Sequence, residues 1–209
     1  MLYTRFGSNF GSVTVLPNDL LEQKRLDLQH HLFQMTLKGE HHLAPIKNFI
    51  HRVLDIATGT GIWAIEFASD HPSAEVIGTD LSPIQPGYVP ANCSFQIDDV
   101  EDPWAFSQPF DYIHGRLLAA CFKNFPCVVK QAFDNPRPGR YLELQDIVPP
   151  VCYDNSWEGT EYKRWVSLCV EGGKALGMDW GKAAKYKHYM EEAGFVDVQQ
   201  VEFAWRKLK

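Results

Sequence analysis

The sequence predicts an α/β fold in which a mostly parallel sheet carries helices on both faces. Two observations lead to it. Six apolar segments of strand length follow one another, and helical patterns separate most of them. The chain has 209 residues, enough for one domain with a sizeable core. The six segments are RVLDIA, AEVIGTD, CSFQID, FDYIHGR, RYLELQD and VDVQQVEFAW.

A first helix is predicted over residues 19–38. Asp19 and Glu22 have the spacing of a capping box, and Gly39 is a typical helix stop. Between them, apolar residues recur at helical intervals. These are Leu28, Leu32 and Met35. Two further helices, GIWAIEFASDH and CVVKQAFDN, are predicted between strands.

Composition excludes several classes of function. Twenty basic against 26 acidic residues give a net charge of −6, and no long basic run occurs, so nucleic acid is not an expected partner. No stretch has the length and apolarity of a signal peptide or a membrane span. Five cysteines without a Cys-x-x-Cys pair are typical of free thiols in a reducing compartment. We therefore expect an intracellular protein with no membrane partner.

Acidic residues follow three of the predicted strands. Asp55 lies at the end of the first, Asp80 at the end of the second, and Asp98 and Asp99 follow the third. Ligands of open α/β sheets bind outside the carboxyl ends of the strands. The sequence therefore predicts an acidic ligand site at this edge.

The glycine loop GTGIWA raises the question of which ligand this is. It matches the dinucleotide fingerprint, and Asp80 lies about 20 residues further on, as a ribose-binding acid would. A carboxylate at Asp55, however, would face the pyrophosphate at close range, and like charges repel. S-adenosylmethionine carries an ammonium and a sulfonium instead of phosphates. We expect Asp55 near the ammonium, Asp80 on the ribose hydroxyls and Asp99 on the adenine amino group.

Several motifs together resemble the class I methyltransferases of the fungal LaeA-like family, which are regulators and tailoring enzymes of secondary metabolism. They span residues 16–195. They are LPND, RLDLQHHLF, LAPI, VLDIATGTGIWAIEFA, VIGTDLSPIQP, FQIDDVEDPW, FDYIHGR, YLELQD and AGF. The resemblance implies a Rossmann-like fold and a cofactor site near His114. The implied cofactor-binding residues are Asp55, Gly59, Gly61, Asp80, Leu81, Asp98 and Asp99.

The resemblance also implies an organisation and a function. We expect one methyltransferase domain over residues 1–209: an irregular arm (1–18), the first helix, a cofactor-binding core (52–148) and a helical lid on the acceptor side (150–194). The expected activity is S-adenosylmethionine-dependent methylation of a small molecule in the cytoplasm. The alternative is a regulator or scaffold without turnover, in which case a nuclear location is also open, or a truncated inactive member.

His114 is the candidate catalytic residue, because it ends the fourth strand, where the methyl group and its acceptor should meet. A neutral imidazole there would accept a proton from a hydroxyl or amine. Two other roles stay open: the ring covers the cofactor, or it is a packed polar residue bonded to Arg116. Methyl transfer is a direct displacement, so positioning and desolvation supply much of the rate and a base is not obligatory.

Other candidate residues have structural alternatives. Asp55 could cap the following helix, Asp80 could be a turn residue, and Asp98 and Asp99 could form a solvated loop. Trp63 and Phe67 are expected in the core. Adjacent histidines on a helix point about 100° apart and cannot share one ion, so neither His30–His31 nor His41–His42 predicts a metal site.

The segment over residues 150–194 is rich in aromatic residues. Trp157, Tyr162 and Trp165 either line an apolar pocket for an aromatic or polyketide-like acceptor or pack onto the sheet as the core of a lid. The two readings are equally compatible with the sequence, which therefore leaves the acceptor open.

Three positions depart from the family pattern. Ala57 replaces a glycine, which tightens the loop. Arg140 replaces another, at a cost of about 1 kcal/mol if that position needs a positive φ. Only RKLK follows VDVQQVEFAW, so the last strand of the fold is expected to be missing. The exposed edge of the sixth segment would then favour a homodimer, another protein partner or aggregation.

Electrostatic repulsion at the glycine loop predicts that the chain binds neither NAD nor NADP. Asp55 repels a pyrophosphate, and no arginine closely follows Asp80 to receive a 2′-phosphate. Titration calorimetry with both dinucleotides should detect no heat of binding. Micromolar affinity for either one would contradict the assignment of the loop to a cationic ligand.

Overall fold

The computed structural model describes residues 17–46, 50–149 and 156–204, so most of the predicted arm and Cys152 lie outside the described residues. The strands are β1 (Arg52–Ile56), β2 (Glu75–Asp80), β3 (Cys93–Ile97), β4 (Phe110–Arg116) and β5 (Pro136–Gln145). The α-helices are α1 (Leu20–Thr36), α2 (Ile62–Asp70), α3 (Phe125–Asp134), α4 (Glu161–Ala175) and α5 (Tyr186–Ala193), and a 3₁₀ helix covers Trp180–Lys185.

The five strands form one parallel sheet in the order β3-β2-β1-β4-β5. The order reverses between β1 and β4, so the crevice at the carboxyl ends opens beside these two strands. In β1, Asp55 lies opposite Gly78 of β2 on one side and His114 of β4 on the other. The predicted α/β fold is confirmed, and the first acid of the motif lies in the centre of the sheet.

Alternate residues of the strands enter two separate apolar clusters. Leu54 and Ile113 belong to a cluster with α3 and α5, in which Phe125 stacks on Tyr186 with ring centroids 4.5 Å apart. Val53 instead packs against α2. On that face lie Trp63, Phe67 and Tyr112, all buried, which confirms the expected core positions of Trp63 and Phe67.

Helix α1 begins as the sequence predicts. The Asp19 carboxylate accepts a hydrogen bond of 2.9 Å from the Glu22 N–H, and Gly39 follows the helix with φ +92°. The buried side chains of α1 are His30 and Phe33. The apolar stripe that predicted the helix, however, faces solvent. Its members Leu28, Leu32 and Met35 are 61%, 40% and 65% exposed.

The sixth predicted strand is wrong for the described residues 196–204, which pair with no strand of the described chain. Val196 is 83% exposed, so the apolar side of this alternating segment does not pack on the sheet there. A strand at this place depends on hydrogen bonds to a neighbouring strand, and alternation alone supplies none. Within the described part of the chain, this segment therefore presents no strand edge and β5 is an edge strand, while the expected homodimer stays a prediction.

The segment predicted to be a helical lid is helical over most of its described part, residues 156–194. Tyr162 and Trp165 lie on α4 and stack with ring centroids 6.0 Å apart, both more than half exposed, so they do not form a core against the sheet.

Arg140 lies inside β5, in the stretch where the pairing with β4 shifts register. The four described cysteines are free thiols. Among the described helices, none has the length and apolarity needed to cross a membrane.

Candidate functional site

The glycine loop connects β1 to α2 through three residues with positive φ. These are Ala57 (+52°), Gly59 (+60°) and Gly61 (+79°). Gly61 caps α2, and a Cβ there would lie 2.3 Å from the Phe95 ring of β3. Glycine is thus required at 61 by both backbone conformation and space. Ala57 adopts a left-handed conformation that suits glycine better. Alanine in place of the family's glycine therefore lowers the stability of the fold.

The Asp80 carboxylate lies beside this loop at the end of β2. Its two oxygens accept backbone hydrogen bonds from Gly59 (2.8 Å) and Ser82 (2.9 Å). Burial raises the pKa of Asp80, and these two hydrogen bonds oppose the rise. Each carboxylate oxygen has a second lone pair, so Asp80 holds the loop in place and still has acceptor capacity for hydroxyl groups.

Gln85 ties the same two loops together. Its side-chain amide donates to the carbonyl oxygens of Gly59 (2.6 Å) and Ser82 (3.0 Å). Sequence reasoning missed this residue. It belongs to the LSPIQP stretch after β2, where no periodicity points to it.

Asp55 lies below the loop. Its side chain is 4% exposed, one oxygen lies 2.7 Å from His114 Nδ1, and the other accepts a hydrogen bond of 2.5 Å from the Thr58 hydroxyl. The carboxylate is therefore positioned from both sides. In this arrangement Asp55 contacts the loop through its hydrogen bond with Thr58, and its negative charge also lowers the electrostatic potential around the loop. Direct contact between Asp55 and a ligand ammonium stays a prediction.

His114 is completely buried. Its ring stacks on Trp63 of α2 with centroids 3.6 Å apart and planes 8° apart. Burial lowers the pKa of His114, and the hydrogen bond to Asp55 only partly offsets this. Within the described structure, Nε2 has no hydrogen-bond partner. The role of general base stays a prediction, because this arrangement gives the imidazole no open face toward an acceptor.

The acids after β3 lie close to Asp80. The Asp98 N–H donates to the Asp80 carbonyl oxygen over 3.1 Å, and burial raises the pKa of Asp98. The Asp99 carboxylate accepts the Glu101 N–H over 3.0 Å, closing a turn. Leu81 directly follows Asp80 and is partly exposed. The structure thus gathers all the predicted acids at the carboxyl ends of β1, β2 and β3.

A strip of polar side chains crosses the neighbouring strands on the sheet face under α1 and α2. His114 lies opposite Glu143, and Arg116 opposite Gln145. Glu143 accepts hydrogen bonds from the N–H groups of Leu43 and Ala44 and from the Tyr112 hydroxyl. Sequence reasoning missed the strip, although polar residues at alternate positions of FDYIHGR and RYLELQD were a signal for it.

At its outer end the strip meets α1. Arg116 Nη1 lies 3.0 Å from His30 Nδ1, and His30 Nε2 lies 2.8 Å from the Glu66 carboxylate, which also accepts a hydrogen bond from Gln34. Since Arg116 only donates, His30 Nδ1 must accept, and the ring proton lies on Nε2. This relay fastens α1 to both the sheet and α2.

The same place holds the ligand-type atoms of His30, His41 and Glu66, all within 4.8 Å of one another. The two histidines come from different pairs and are not adjacent in the sequence, so the 100° separation of neighbouring helical residues does not apply to them. A metal would need His30 Nε2 without its proton, and Nδ1–H would then face the Arg116 donor. The hydrogen bonds therefore favour the relay over an ion, and the expectation of no metal stays a prediction.

Comparison with known proteins identifies the family. A model described as "Methyltransferase domain" matches residues 28–200, which is most of the chain. The chain belongs to this methyltransferase family.

Curated relatives place it among fungal members. It is 39% identical over 193 residues to "Methyltransferase pytC" of Aspergillus terreus, a match that covers 90% of this chain and 59% of the relative. It is 36% identical over 189 residues to "Probable methyltransferase tdiE" of Emericella nidulans, a match that covers 88% of this chain and 59% of the relative. It is also 39% identical over 166 residues to "Protein-methionine methyltransferase laeA" of Emericella nidulans, covering 78% of this chain and 44% of the relative. The chain thus spans about half of its relatives' length, and the resemblance to the LaeA-like family is confirmed.

Solved structures show the same fold. The S-adenosylmethionine-dependent methyltransferase SibL superposes with a TM-score of 0.56 at 18% identity, covering 88% of this chain and 55% of SibL. Haemonchus contortus phospholethanolamine N-methyltransferase 2, solved with S-adenosylhomocysteine, gives 0.54 at 19% identity, covering 79% and 37%. The fold is that of class I methyltransferases, and S-adenosylmethionine is the cofactor that family and fold imply.

The residues fit this cofactor. The loop has glycine where a Cβ would collide, Asp80 keeps acceptor capacity beside it, and Arg116 Nη2 is a buried donor without a partner in the described structure. An acceptor for hydroxyls corresponds to the ribose of the cofactor, and a buried donor corresponds to the carboxylate of its amino-acid end.

Replacing Ala57 with glycine should stabilise the fold. The left-handed backbone conformation costs alanine about 1–2 kcal/mol, and glycine removes this cost. Glycine also gives the unfolded chain more conformational freedom, which lowers the stability of the variant by about 0.4–1 kcal/mol. We expect a net gain of about 0.5–1 kcal/mol in the free energy of unfolding, measured by chemical denaturation. Ala175→Gly, in the exposed last turn of α4, is the control and should lower stability by up to about 1 kcal/mol. A loss of stability in Ala57→Gly would contradict the strain argument.

The buried histidines should make stability depend on pH. Burial lowers the folded-state pKa of both His30 and His114, so below about pH 6.5 the unfolded chain takes up protons that the folded chain resists. The free energy of unfolding should therefore fall as the pH drops from 7.5 to 5.5, by up to about 1.4 kcal/mol per pH unit for each histidine.

The readout is this slope. His114→Gln removes one titrating group and should flatten the slope whatever it does to overall stability. His188→Gln is the control, because His188 is exposed on α5. Equal slopes in wild type and His114→Gln would show that His114 does not titrate in this range.

Proposed function

We propose that the chain binds S-adenosylmethionine across the carboxyl ends of β1, β2 and β3 and transfers its methyl group to a small molecule in fungal secondary metabolism. One observation carries the proposal. The Asp80 carboxylate is held at this edge by two backbone N–H groups and keeps acceptor capacity beside the glycine loop. The relatives named pytC and tdiE, described as methyltransferases, support it.

The residues divide the cofactor between them. Asp80 would hold the ribose hydroxyls, and the loop with Gly59 and Gly61 would lie along the amino-acid end. Leu81, Asp98 and Asp99 would border the adenine, with Asp99 the residue for its amino group. When bound, S-adenosylmethionine supplies a methyl group activated on a sulfonium. Asp55, below the loop, provides the negative potential that favours the cationic groups.

The chain's own contribution is positioning and exclusion of water, which suit a direct displacement. His114 holds the Asp55 carboxylate from one side while Thr58 holds it from the other. Its stacking on Trp63 fixes the imidazole in place. We therefore assign His114 a positioning role in the first instance. The general-base role requires a movement that opens the ring to the acceptor.

A small-molecule acceptor is supported by the aromatic surface of α4. Tyr162 and Trp165 stack on each other and are 54% and 58% exposed, as expected for side chains that contact a flat apolar molecule. An open surface depression of about 320 Å³ lies nearby, lined by Trp157, Val166 and Val170 among others.

The alternative function is regulation through protein partners. Relatives of this chain are described as "Secondary metabolism regulator laeA", and the Emericella nidulans protein as a protein-methionine methyltransferase. The observation in favour is the exposed apolar face of α1, where Leu21 is 79% and Met35 65% exposed. Exposed apolar patches of this kind often mark protein contacts.

Two measurements separate these functions. Titration calorimetry with S-adenosylmethionine and S-adenosylhomocysteine tests cofactor binding, and absence of binding by both would contradict the proposal. Transfer of a labelled methyl group, with extract fractionated into small molecules and protein, tests the acceptor. Label in the small-molecule fraction supports the proposal, whereas label only in protein supports the regulatory alternative.

Replacing Asp80 with alanine should weaken cofactor binding by roughly 100-fold or more. Two charge-assisted hydrogen bonds, each worth about 1.5–3 kcal/mol, would be lost. Calorimetry with S-adenosylhomocysteine measures the change, and circular dichroism confirms folding because Asp80 also bonds the loop. Asp102→Ala, an exposed acid after β3, is the matched control and should leave affinity unchanged. An unchanged dissociation constant in folded Asp80→Ala would remove Asp80 from the site.

A further inference from the structure

Arg116 is a largely buried cation whose described contacts are all neutral. Its Nε donates to the Gln145 side-chain oxygen over 2.9 Å, its Nη1 lies 3.0 Å from His30 Nδ1, and its guanidinium carbon lies 4.6 Å from the centre of the Phe33 ring. Its Nη2 is buried and has no hydrogen-bond partner within the described structure. Two of the three guanidinium nitrogens are therefore engaged, and Nη2 is not.

This arrangement is costly for the free chain. Burial lowers the pKa of Arg116 to about 10, although Asp55, Glu66 and Glu143 attract its charge from a distance. None of the ion pairs formed between described residues includes Arg116. A buried charge without a counterion is unfavourable, and arginine does not escape by losing its proton. An anion bound at Nη2 would satisfy this donor and also supply the missing counter-charge.

The position of Arg116 indicates which anion. It ends β4 directly beside β1, and the preceding Gly115 lies opposite Ile56, the last residue before the glycine loop. Helix α1 covers both places. Its Asp27 accepts a hydrogen bond of 2.8 Å from Thr60 of the loop, and its Phe33 lies over the guanidinium. Loop and guanidinium therefore both lie against α1.

We propose that Arg116 binds the α-carboxylate of the amino-acid end of S-adenosylmethionine. The inference rests on the proposed function and adds a residue to its site. The amino-acid end is a zwitterion, so it needs a positive as well as a negative partner. Asp55 on β1 and Arg116 on β4 supply the two signs from neighbouring strands. A guanidinium suits a carboxylate because it donates two parallel hydrogen bonds.

A carboxylate of the methyl acceptor has the same chemistry, so the test must distinguish the two sources. Decarboxylated S-adenosylmethionine does so, because it lacks only the carboxylate and keeps the ammonium, sulfonium, ribose and adenine. The measurement is the ratio of its dissociation constant to that of S-adenosylmethionine, by calorimetry without acceptor. Wild type and Arg116→Met are compared, and methionine keeps an apolar stem of similar length over Phe33.

For wild type we expect a preference of roughly 10- to 100-fold for the carboxylated ligand, the value of a charge-assisted hydrogen bond in a buried site. In Arg116→Met the preference should fall to within about twofold of unity. Arg116→Lys keeps the charge without the paired donors and should retain an intermediate preference. The ratio is informative even when a variant weakens both ligands.

Arg52→Met is the matched control. Arg52 also lies over an aromatic ring, with its guanidinium carbon 4.7 Å from the centre of Phe110. It begins β1, however, so it lies at the amino ends of the strands, away from the proposed site, and it pairs with Glu75. Its preference for the carboxylated ligand should equal that of wild type.

Three results would overturn the inference. Equal affinity of wild type for the two ligands would show that the cofactor carboxylate has no specific partner and leave an acceptor carboxylate as the anion. A full preference retained in folded Arg116→Met would assign the carboxylate to another residue. Wild type that binds neither ligand would contradict the proposed function itself, and the inference with it.

Discussion

The hydrogen bond between Asp55 and His114 is the contact on which the rest of the site depends. It joins the two central strands where the order of the sheet reverses. From this pair, Thr58 extends the contacts into the glycine loop and Trp63 extends them into α2. A buried carboxylate is tolerable only when its oxygens are bonded. The requirement to satisfy Asp55 therefore fixes the loop, the first turn of α2 and the end of β4 relative to one another.

The need of buried polar groups for hydrogen-bond partners also explains why the leucines of α1 face solvent. The sheet face below α1 carries Arg116, and an apolar helix face would offer its Nη1 no hydrogen-bond acceptor. His30 supplies a ring nitrogen for Arg116 and a donor for Glu66, and Phe33 lies over the guanidinium. Polar groups of α1 thus pack inward because the sheet is polar there. The leucine stripe is exposed as a consequence and not through a misplaced register.

Features encoded locally were predictable from the sequence. The five strands, the Asp19 cap and the acids at the strand ends follow from periodicity, cap chemistry and the general location of α/β ligand sites. Features that depend on distant partners were not. Gln85 matters only because the loop before it and Gly59 come together. The segment around Val196 has the alternation of a strand, but strand formation needs a neighbour that its own residues cannot provide.

The distribution of charge answers why an acid lies beside a loop that otherwise suits a phosphate. Backbone N–H groups at the start of α2 attract anions of any kind. Asp55, buried below the loop, opposes that attraction, and Asp80 occupies the Gly59 N–H with its own carboxylate. A pyrophosphate would meet two negative charges there. The cationic group, Arg116, is one strand away under α1. In the proposed complex, separation of the two signs across β1 and β4 would suit a ligand end that is itself a zwitterion and would give that end a single orientation.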